Sequence, residues 1–273
     1  MACIREYGGD VFHEGELTVQ RRAGVEADAA RLEGMLAPAD LRGGLAQFLA
    51  GRTYAALAAR DGDDRLWVAP VSGPPGFLEP TGATTLAVHA APAPGDALHG
   101  LPADQPVGLI VLEYVARRRA RVNGRLVAAG PDGLLVEVAE AFGNCPRHIP
   151  PRPLALAAPA DGSVLDDDLV AAVDTFVLGT SHPERGADAS HRGGPPGFLR
   201  RESAHVLVWD DLPGNQMFTS LGNLAVDPAA ALLLVHPGTG RRQQLSGTAS
   251  VRWDVPGSAT GRQVAFEVER VVG

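Results

Sequence analysis

The hexapeptide GPPGFL occurs twice in the chain, at 73–78 and again at 194–199. A Pro-Pro-Gly turn is common, so the stronger observation is that the flanking segments also recur in the same order. The matching residues keep offsets of 121 to 123 positions: Thr53 with Thr175, Leu86 with Leu207, Arg118-Arg119 with Arg241-Arg242, and Asn123-Gly124 with Ser246-Gly247. A drift of only two positions across four blocks indicates an internal duplication of a unit of roughly 110 to 120 residues, an ordinary domain size.

Most of the recurring segments have the pattern of short β-strands. They are β-branched or alternating, and Gly, Pro and Asp separate them, as around TYAALAA (53–59) and AALLLVH (230–236). Many short strands with tight turns predict a mainly β fold of two small tandem barrels rather than a parallel α/β sheet. Helices are predicted at 24–36, 38–51 and around 166–175.

The Pro- and Ala-rich segment at 150–163 has no periodicity and is the natural linker. We therefore predict an N-terminal helical segment over 1–37, a first barrel over 38–150 and a second barrel over 151–273.

Charge and composition exclude several classes of partner. The formal net charge is −8 and the pI is near 5.5, whereas binding to nucleic acid needs clustered Lys and Arg. The one cationic run is ARRRAR at 116–121. No apolar stretch approaches the ~20 residues needed to span a bilayer, and the N-terminus is too polar for a signal peptide. Only Cys3 and Cys145 are present, so there is no disulfide framework. The sequence predicts a cytoplasmic protein without a nucleic-acid or membrane partner.

Familiar catalytic motifs are missing from the sequence. There is no G-x-S-x-G, phosphate-binding P-loop, G-x-G-x-x-G, H-E-x-x-H or C-x-x-C. HEGE (13–16) lacks a second histidine at helical spacing and is interpreted as a polar helix-entry segment. DDD (166–168) is interpreted as a solvated helix start. We predict no metal site and assign no catalytic residue.

Two polar regions stand where a strand protein would otherwise have apolar residues. ADASHRGG (187–194) comes directly before the second GPPGFL turn, and DLPGNQMFTSLGNLAVDP (211–228) runs from a Gly-Asn-rich loop into a short helix. A loop entering a helix offers free N–H groups to an anion, and a neighbouring arginine can complete the site. The alternative for each region is a plain surface turn.

The second unit resembles the FMN-binding split barrels of the pyridoxamine 5'-phosphate oxidase family, in particular its poorly characterised FMN-binding members. The resemblance lies in DTFVLGTSHPERGADASHRGGPPGFL, LVWDDLPGNQMFTSLGNLAVDPAAALLLV and GRRQQLSGTASV. FHEGELTVQ (12–20) and AFGNCPRHI (141–149) also resemble segments of fused two-unit relatives. The resemblance implies two tandem split β-barrels that form a pseudo-dimer, with FMN as cofactor.

The resemblance also implies which residues lie near FMN. They are, by region, Ser190, His191 and Arg192 for the ribityl chain and phosphate, Asn215, Gln216 and Met217 for the phosphate loop, Val208 and Trp209 for the ring face, and Arg241 and Gln244 for the ring edge.

One departure from the family pattern is that the phosphate loop has Asn-Gln-Met where adjacent basic residues are typical. Arg192 then carries more of the phosphate charge, or Arg117 to Arg121 help from the other unit. Because the first unit has VAPVSG where the second has ASHRGG, we expect one intact flavin site. The second unit builds it, and candidates for the wall supplied by the first are the arginine run and the segment around Asn144 and Cys145. The alternative for the run is a solvated or interdomain-paired strand.

These observations predict an FMN-dependent oxidoreductase or reductase that acts on a small molecule, with NAD(P)H as a candidate electron donor. The molecule would be a monomeric pseudo-dimer or a homodimer. The alternative is a non-catalytic flavin carrier or sensor, or a degenerate barrel kept for interaction without a cofactor.

Overall fold

The computed structural model describes residues 11–36, 39–160 and 162–273. Cys3 and the first ten positions of the predicted N-terminal segment lie outside the described residues. The first unit contains seven strands: β1 (Tyr54–Arg60), β2 (Leu66–Ser72), β3 (Leu78–Pro80), β4 (Thr85–Val88), β5 (Gln105–Glu113), β6 (Arg118–Gly130) and β7 (Gly133–Gly143). The second unit contains seven more: β8 (Thr175–His182), β9 (Gly186–Gly193), β10 (Arg200–Arg201), β11 (Val206–Asp210), β12 (Ala229–Val235), β13 (Arg242–Arg252) and β14 (Gln263–Val272).

Hydrogen bonds join these strands into two antiparallel sheets with one topology. The order is β2-β1-β5-β6-β7-β4-β3 in the first sheet and β10-β11-β14-β13-β12-β8-β9 in the second. When the second order is read in reverse and its strands are renumbered from one to seven, it is identical to the first order. The predicted mainly β class with two tandem units is confirmed. Among the described residues, neither sheet closes by pairing its two edge strands, so each barrel is split.

The two GPPGFL turns have the same backbone structure. The N–H of Gly73 donates to the carbonyl of Thr53 (3.2 Å), and that of Gly194 donates to Asp174 (2.9 Å). The fourth residue of each hexapeptide is a glycine with positive φ, 98° in the first turn and 82° in the second, a conformation that L side chains rarely adopt. The repeated hexapeptide therefore encodes one turn, used once in each unit.

The repeated Asn-Gly and Ser-Gly pairs mark a shared β-bulge. The register of β6 against β7 shifts between Asn123 and Gly124, and that of β13 against β14 shifts between Ser246 and Gly247. A Cβ on either glycine would overlap a carbonyl oxygen of the neighbouring strand. Glycine is needed at both bulges because the backbones approach too closely for a side chain.

The two units pack on each other reciprocally. Strand β9 packs on β5 and β6 of the first unit, while its equivalent β2 packs on β12 and β13 of the second. Such exchange of equivalent contacts is the property of an isologous interface, here formed within one chain as a pseudo-dimer. A shared apolar cluster, which includes Tyr54, Ile110, Val177 and Leu233, lies between the separate cores of the two sheets.

The helices are shorter than predicted and include one that was not predicted. They are α1 (Glu14–Ala23), α2 (Glu26–Ala30), α3 (Gly43–Ala50), α4 (Asp167–Ala172) and α5 (Thr219–Val226), with a 3₁₀ turn at Glu33–Leu36. In the described ranges, no helix is long and apolar enough to cross a membrane. Helix α1 begins within the HEGE segment, which we interpreted only as a polar entry to a helix.

Helix α1 is fixed to the second unit through a capped and buried N-terminus. His13 is the N-cap: its Nδ1 accepts from the N–H of Gly15 (3.1 Å), and Glu16 accepts from the N–H of His13 (3.0 Å), forming a capping box. Gly15 and Gly222 let α1 and α5 approach so closely that a Cβ on either would overlap the facing backbone. Glu16, with 4% of its surface exposed, is buried by this contact.

Burial of Glu16 generates a pH-dependent stability. Burial raises the pKa of this carboxyl from 4.5 to about 7, so the folded chain holds its proton more firmly than the unfolded chain. The resulting stabilisation is complete below pH 4.5 and is lost as the pH rises through 7. We expect Glu16→Gln to reduce the loss of stability between pH 5 and pH 8 by about 2 kcal/mol, measured by urea unfolding at both pH values. The exposed Glu26→Gln is the control and should leave that loss unchanged. Equal pH slopes for wild type and Glu16→Gln would contradict the assignment.

Candidate functional site

A cleft of about 100 Å³, partly open to solvent, lies where the two units meet. The first unit contributes Arg119 and Arg121 from β6 and the segment from Asn144 to His148 that follows β7. The second unit contributes the end of β9, the Trp209–Asp210 end of β11, and the loop that follows it as far as Asn215. The first unit thus supplies a wall, and the elements of the second unit supply the rest.

The orientation of β6 places its arginines in two groups. Arg119 and Arg121 alternate onto the side that faces the cleft, whereas Arg118 points to the other side, where its guanidinium lies 4.8 Å from the ring centre of Phe48. Arg117 precedes the strand, in a turn with φ of 53°. Two of the four arginines in the run therefore serve the cleft.

His191 is held in one tautomer by Arg119. The guanidinium of Arg119 donates to Nδ1 of His191 (3.0 Å), and because an arginine only donates, Nδ1 is the unprotonated nitrogen. Nε2 then carries the proton, and it is buried without a hydrogen-bond partner. Burial, followed by the charges of Arg119 and Arg192, lowers the pKa of His191 well below 6.5. His191 is a neutral hydrogen-bond donor in the cleft.

The three part-buried arginines of the cleft, Arg119, Arg121 and Arg192, are unequally neutralised. Arg121 pairs with buried Asp188 (3.1 Å), and Arg192 lies 3.7 Å from Asp211. Asp211 is shared, because it also accepts from Arg262 at 2.9 Å. Among residues 11–36, 39–160 and 162–273, no carboxylate pairs with Arg119. Burial and then the neighbouring arginines lower the pKa of Arg119 to about 10. The cleft keeps an uncompensated positive charge.

Unsatisfied polar atoms converge on this cleft. Five of the six buried side-chain atoms that lack a partner in the described structure belong to residues lining it: Arg119 Nε, Arg121 Nε, Asn144 Oδ1, His191 Nε2 and Arg192 Nε. Buried polar atoms are nearly always hydrogen-bonded in native proteins. Four of these five are donors, and three of the donors are cationic, so the arrangement suits an oxyanion. Asn144 adds one acceptor.

Four of the residues expected near FMN line the cleft. They are His191, Arg192, Trp209 and Asn215. Trp209 is 2% exposed, and the Asn215 side chain accepts from the N–H of Met217 at 3.2 Å. The arginine pair Arg119 and Arg121 and the Asn144–Cys145 segment lie on the first-unit wall, where the sequence placed its candidates.

The other second-unit residues expected near FMN lie outside the cleft. Ser190 points away from His191, and its hydroxyl accepts from Ser220 (2.9 Å). Val208 is buried within β11, opposite Ala265 of β14. Gln216 is in a left-handed conformation, with φ of 64°.

Met217, Arg241 and Gln244 also have other partners. Met217 is buried in a cluster with Phe12, Ala29 and Phe142. Arg241 pairs with Asp166 at 2.7 Å, and Gln244 accepts from the N–H of Ala97 at 2.8 Å. Gln244 lies on β13 and Arg241 directly precedes this strand, which belongs to the other, pseudo-symmetric side of the interface.

The HEGE segment does find a second histidine in space. His13, Glu14 and His182 bring possible ligand atoms within 4.8 Å of one another. The Nδ1 of each histidine accepts backbone N–H bonds, from Gly15 at His13 and from Glu184 and Arg185 at His182. The Nε2 atoms then carry protons and hydrogen-bond to Asn223 and Glu14. A histidine that binds a metal normally donates from its second nitrogen, so this cluster is a hydrogen-bonded helix anchor.

Several residues of the cleft were not singled out by the sequence. Exposed Arg147 and His148 lie at its edge, and buried Asp211 fixes Arg192 and Arg262. A Cβ on Gly193 would overlap the carbonyl of His148, so glycine allows the 144–148 segment to lie against β9. The repeat aligns Gly193 with Ser72 of the first unit, and this difference could have indicated a close backbone approach at Gly193.

Comparison with known proteins yields weak likenesses only. No protein-family profile and no curated protein sequence matches the chain. HupZ of group A Streptococcus is 12% identical, covers 38% of this chain and 86% of its own, and gives a TM-score of 0.30. A proposed pyridoxamine 5'-phosphate oxidase of Lactobacillus delbrueckii is 13% identical, covers 40% of this chain and 94% of its own, and gives a TM-score of 0.34. HutZ, a heme storage protein of Vibrio cholerae, is 11% identical, covers 38% of this chain and 88% of its own, and gives a TM-score of 0.28. At this level the likenesses assign no ligand and no reaction.

Because Ser190 lies outside the cleft, its substitution should affect stability but not ligand affinity, unlike substitution of His191 or Arg192. Ser190→Ala removes one of the two hydrogen-bond partners of the Ser220 hydroxyl, which also contacts Asp188 at 3.1 Å, and we expect it to lower the free energy of unfolding by about 1 kcal/mol. Binding of FMN or inorganic phosphate should be unchanged, because the hydroxyl does not face the cleft. Urea unfolding and ligand titration of the variant measure both effects. A tenfold loss of affinity would place Ser190 in the binding site.

Proposed function

We propose that the chain binds FMN in the cleft between its two units and is a flavin-dependent oxidoreductase acting on a small molecule. The observation that carries the proposal is the convergence of four buried, unpartnered N–H groups, three of them on arginines, in a partly open cleft without enough carboxylates to balance them. A phosphate group is dianionic or nearly so at neutral pH and matches such a donor set.

The residues present fit FMN. Arg119 and Arg192, the second of which the sequence assigned to the phosphate, would hold the phosphate, and His191 would donate to it or to the ribityl chain. Asn144 has a free acceptor oxygen for a ring N–H. Phe198 and Trp209 add aromatic surface to the second-unit wall. Bound FMN supplies hydride or single-electron transfer, which no side chain of the cleft can perform.

The contribution of the chain itself is to bind, orient and exclude water. The Arg119–His191 hydrogen bond keeps the imidazole neutral, with its proton on Nε2, so that the ligand meets a donor rather than a second lone pair. Arg121 is held by Asp188 and Arg192 lies near Asp211, so these guanidiniums are preorganised. Arg147 at the edge adds positive charge, which favours an anionic electron donor such as NAD(P)H.

A flavin carrier or sensor is the second candidate, and one observation favours it. The ionisable side chains of the described cleft other than its arginines are Cys145, His148, His191, Asp210 and Asp211. Asp210 and Asp211 are ion-paired and His191 is locked as a neutral donor. None of these three is arranged as a general acid or base.

FMN binding and its dependence on Arg119 form the first test. We expect the purified chain to take up FMN, and Arg119→Ala to weaken binding by about 10- to 100-fold, the worth of one charged hydrogen bond in a buried site. Fluorescence quenching of FMN on titration measures the affinity. Arg118→Ala is the matched control, because Arg118 is on the same strand but faces away from the cleft.

Equal affinities of wild type, Arg119→Ala and Arg118→Ala would contradict the site. A colourless protein that does not quench FMN would contradict the cofactor. A Soret band in the purified protein would replace flavin with heme as the ligand of the same cationic cleft.

Reduction separates an enzyme from a carrier. If the chain is a reductase, NADH or NADPH added without oxygen should bleach the flavin band within seconds to minutes. Arg147→Ala should slow bleaching by an anionic donor, since charge at the cleft edge accelerates encounter, and added salt should reduce the difference. A flavin that stays oxidised with both nucleotides but is reduced by dithionite would favour the carrier.

A further inference from the structure

The duplication predicts a second position equivalent to the cleft, on the other side of the interface. In the first unit Ala58 pairs with Gly108, and Gly108 with Asn123; in the second Gly179 pairs with Ala231, and Ala231 with Ser246. Counting along the strands from these pairs makes Arg242 the equivalent of Arg119, and Gln244 the equivalent of Arg121.

The space in front of these two residues is filled by the chain itself. The segment after β4, which is the first-unit counterpart of the loop after β11, places the Asp96 carboxylate against Arg242. The guanidinium donates to Asp96 through Nε (3.2 Å) and through Nη2 (2.9 and 3.1 Å). The next residue, Ala97, donates its N–H to the Gln244 side chain at 2.8 Å.

The linker completes this enclosure. Arg242 also donates to the carbonyl of Ala157, and the 155–157 backbone lies where a Cβ on Gly240 would be. Pro159 packs against Gly95, beside Asp96. The side chains of Arg242 and Asp96 are 6% and 1% exposed, whereas Arg119, at the equivalent position, has no carboxylate partner in the described chain and borders an open cleft.

We propose that the chain contains a second oxyanion site, at Arg242, whose ligand is the chain's own Asp96 carboxylate. The same guanidinium position thus binds an internal carboxylate in one half and is left for an external oxyanion in the other. The molecule accordingly takes one external ligand per chain. This inference rests on the open cleft being an oxyanion site, but it does not require that the ligand be FMN.

Removing the internal ligand should turn the closed site into one that accepts a free carboxylate. Asp96→Ala deletes the carboxylate and leaves a small space beside a buried guanidinium. We expect this variant to melt several degrees below wild type. Sodium formate, the smallest carboxylate, should raise its melting temperature by about 3 °C more than that of wild type, when sodium chloride of equal ionic strength is the reference.

Two matched variants decide whether the rescue is at this site. Asp96→Asn keeps an uncharged group in the space and should show no extra response to formate. The double variant Asp96→Ala with Arg242→Met lacks the guanidinium and should also lose the response. Formate shifts that are equal in wild type and Asp96→Ala, or that persist in the double variant, would overturn the proposal.

The proposal can still be tested if the Asp96→Ala variant does not fold well enough to be purified. If Asp96→Ala is insoluble, refolding from urea with and without formate replaces the melting experiment, and a yield at least threefold higher with formate is the expected result; no effect of formate overturns the proposal. Because no flavin is present in either assay, failure here is distinct from failure of FMN binding, which Arg119→Ala tests.

Discussion

The packing of β9 against β5 and β6 determines the geometry of the candidate site. A Cβ on Gly108 of β5 would lie 2.7 Å from the Cα of Asp188 in β9, so only glycine lets the two backbones meet there. Alternate residues of β6 then face β9 in turn, Asn123 and Arg121 toward Asp188, and Arg119 toward His191. The cleft lies where this contact ends, and its arginines are therefore positioned by the interface between the units.

Pseudo-symmetry explains why one chain has two halves of the same construction with different chemistry. The bulges at Gly124 and Gly247, the two GPPGFL turns and the sheet orders are common to both units, because they are determined by backbone geometry. The differences lie in the side chains at the end of β9 and its counterpart β2, where His191 and Arg192 replace Pro70 and Val71. A further difference lies after β4, where a carboxylate turns inward. Backbone constraints keep the sheet order, the bulges and the turns alike in both units, whereas a few charged residues make the chemistry of the two halves different.

The duplication, the strands and the turn could be predicted from the sequence because repeats and local turn chemistry are encoded in neighbouring residues. Strand β9 was less evident, since its buried residues Asp188, Ser190 and His191 lack the apolar alternation of a strand and are stabilised by partners distant in sequence. The ring-edge position was expected in the second unit, at Arg241 and Gln244. The arginine run was expected as a wall from the first unit, and the structure brings Arg119 and Arg121 to the cleft with His191 and Arg192, because β9 packs on the β6 of the other unit. Offsets along the chain reveal which positions are equivalent, but only packing determines which equivalents meet.

Arg119 and Arg242 show two solutions to the same electrostatic problem. A buried guanidinium loses hydration, and without a partner it is strongly destabilising. Asp96 removes this penalty at Arg242 by a bidentate contact inside a closed site. At Arg119 the penalty remains, and its lowered pKa and the unpartnered Nε are the physical signs of it. Binding sites commonly retain such unfavourable groups at the expense of stability, because their compensation is transferred to the ligand. Arg119 lacks the free energy that an internal carboxylate would contribute to folding, and among ligands of the proposed site those with concentrated negative charge would gain most from its unpaired guanidinium.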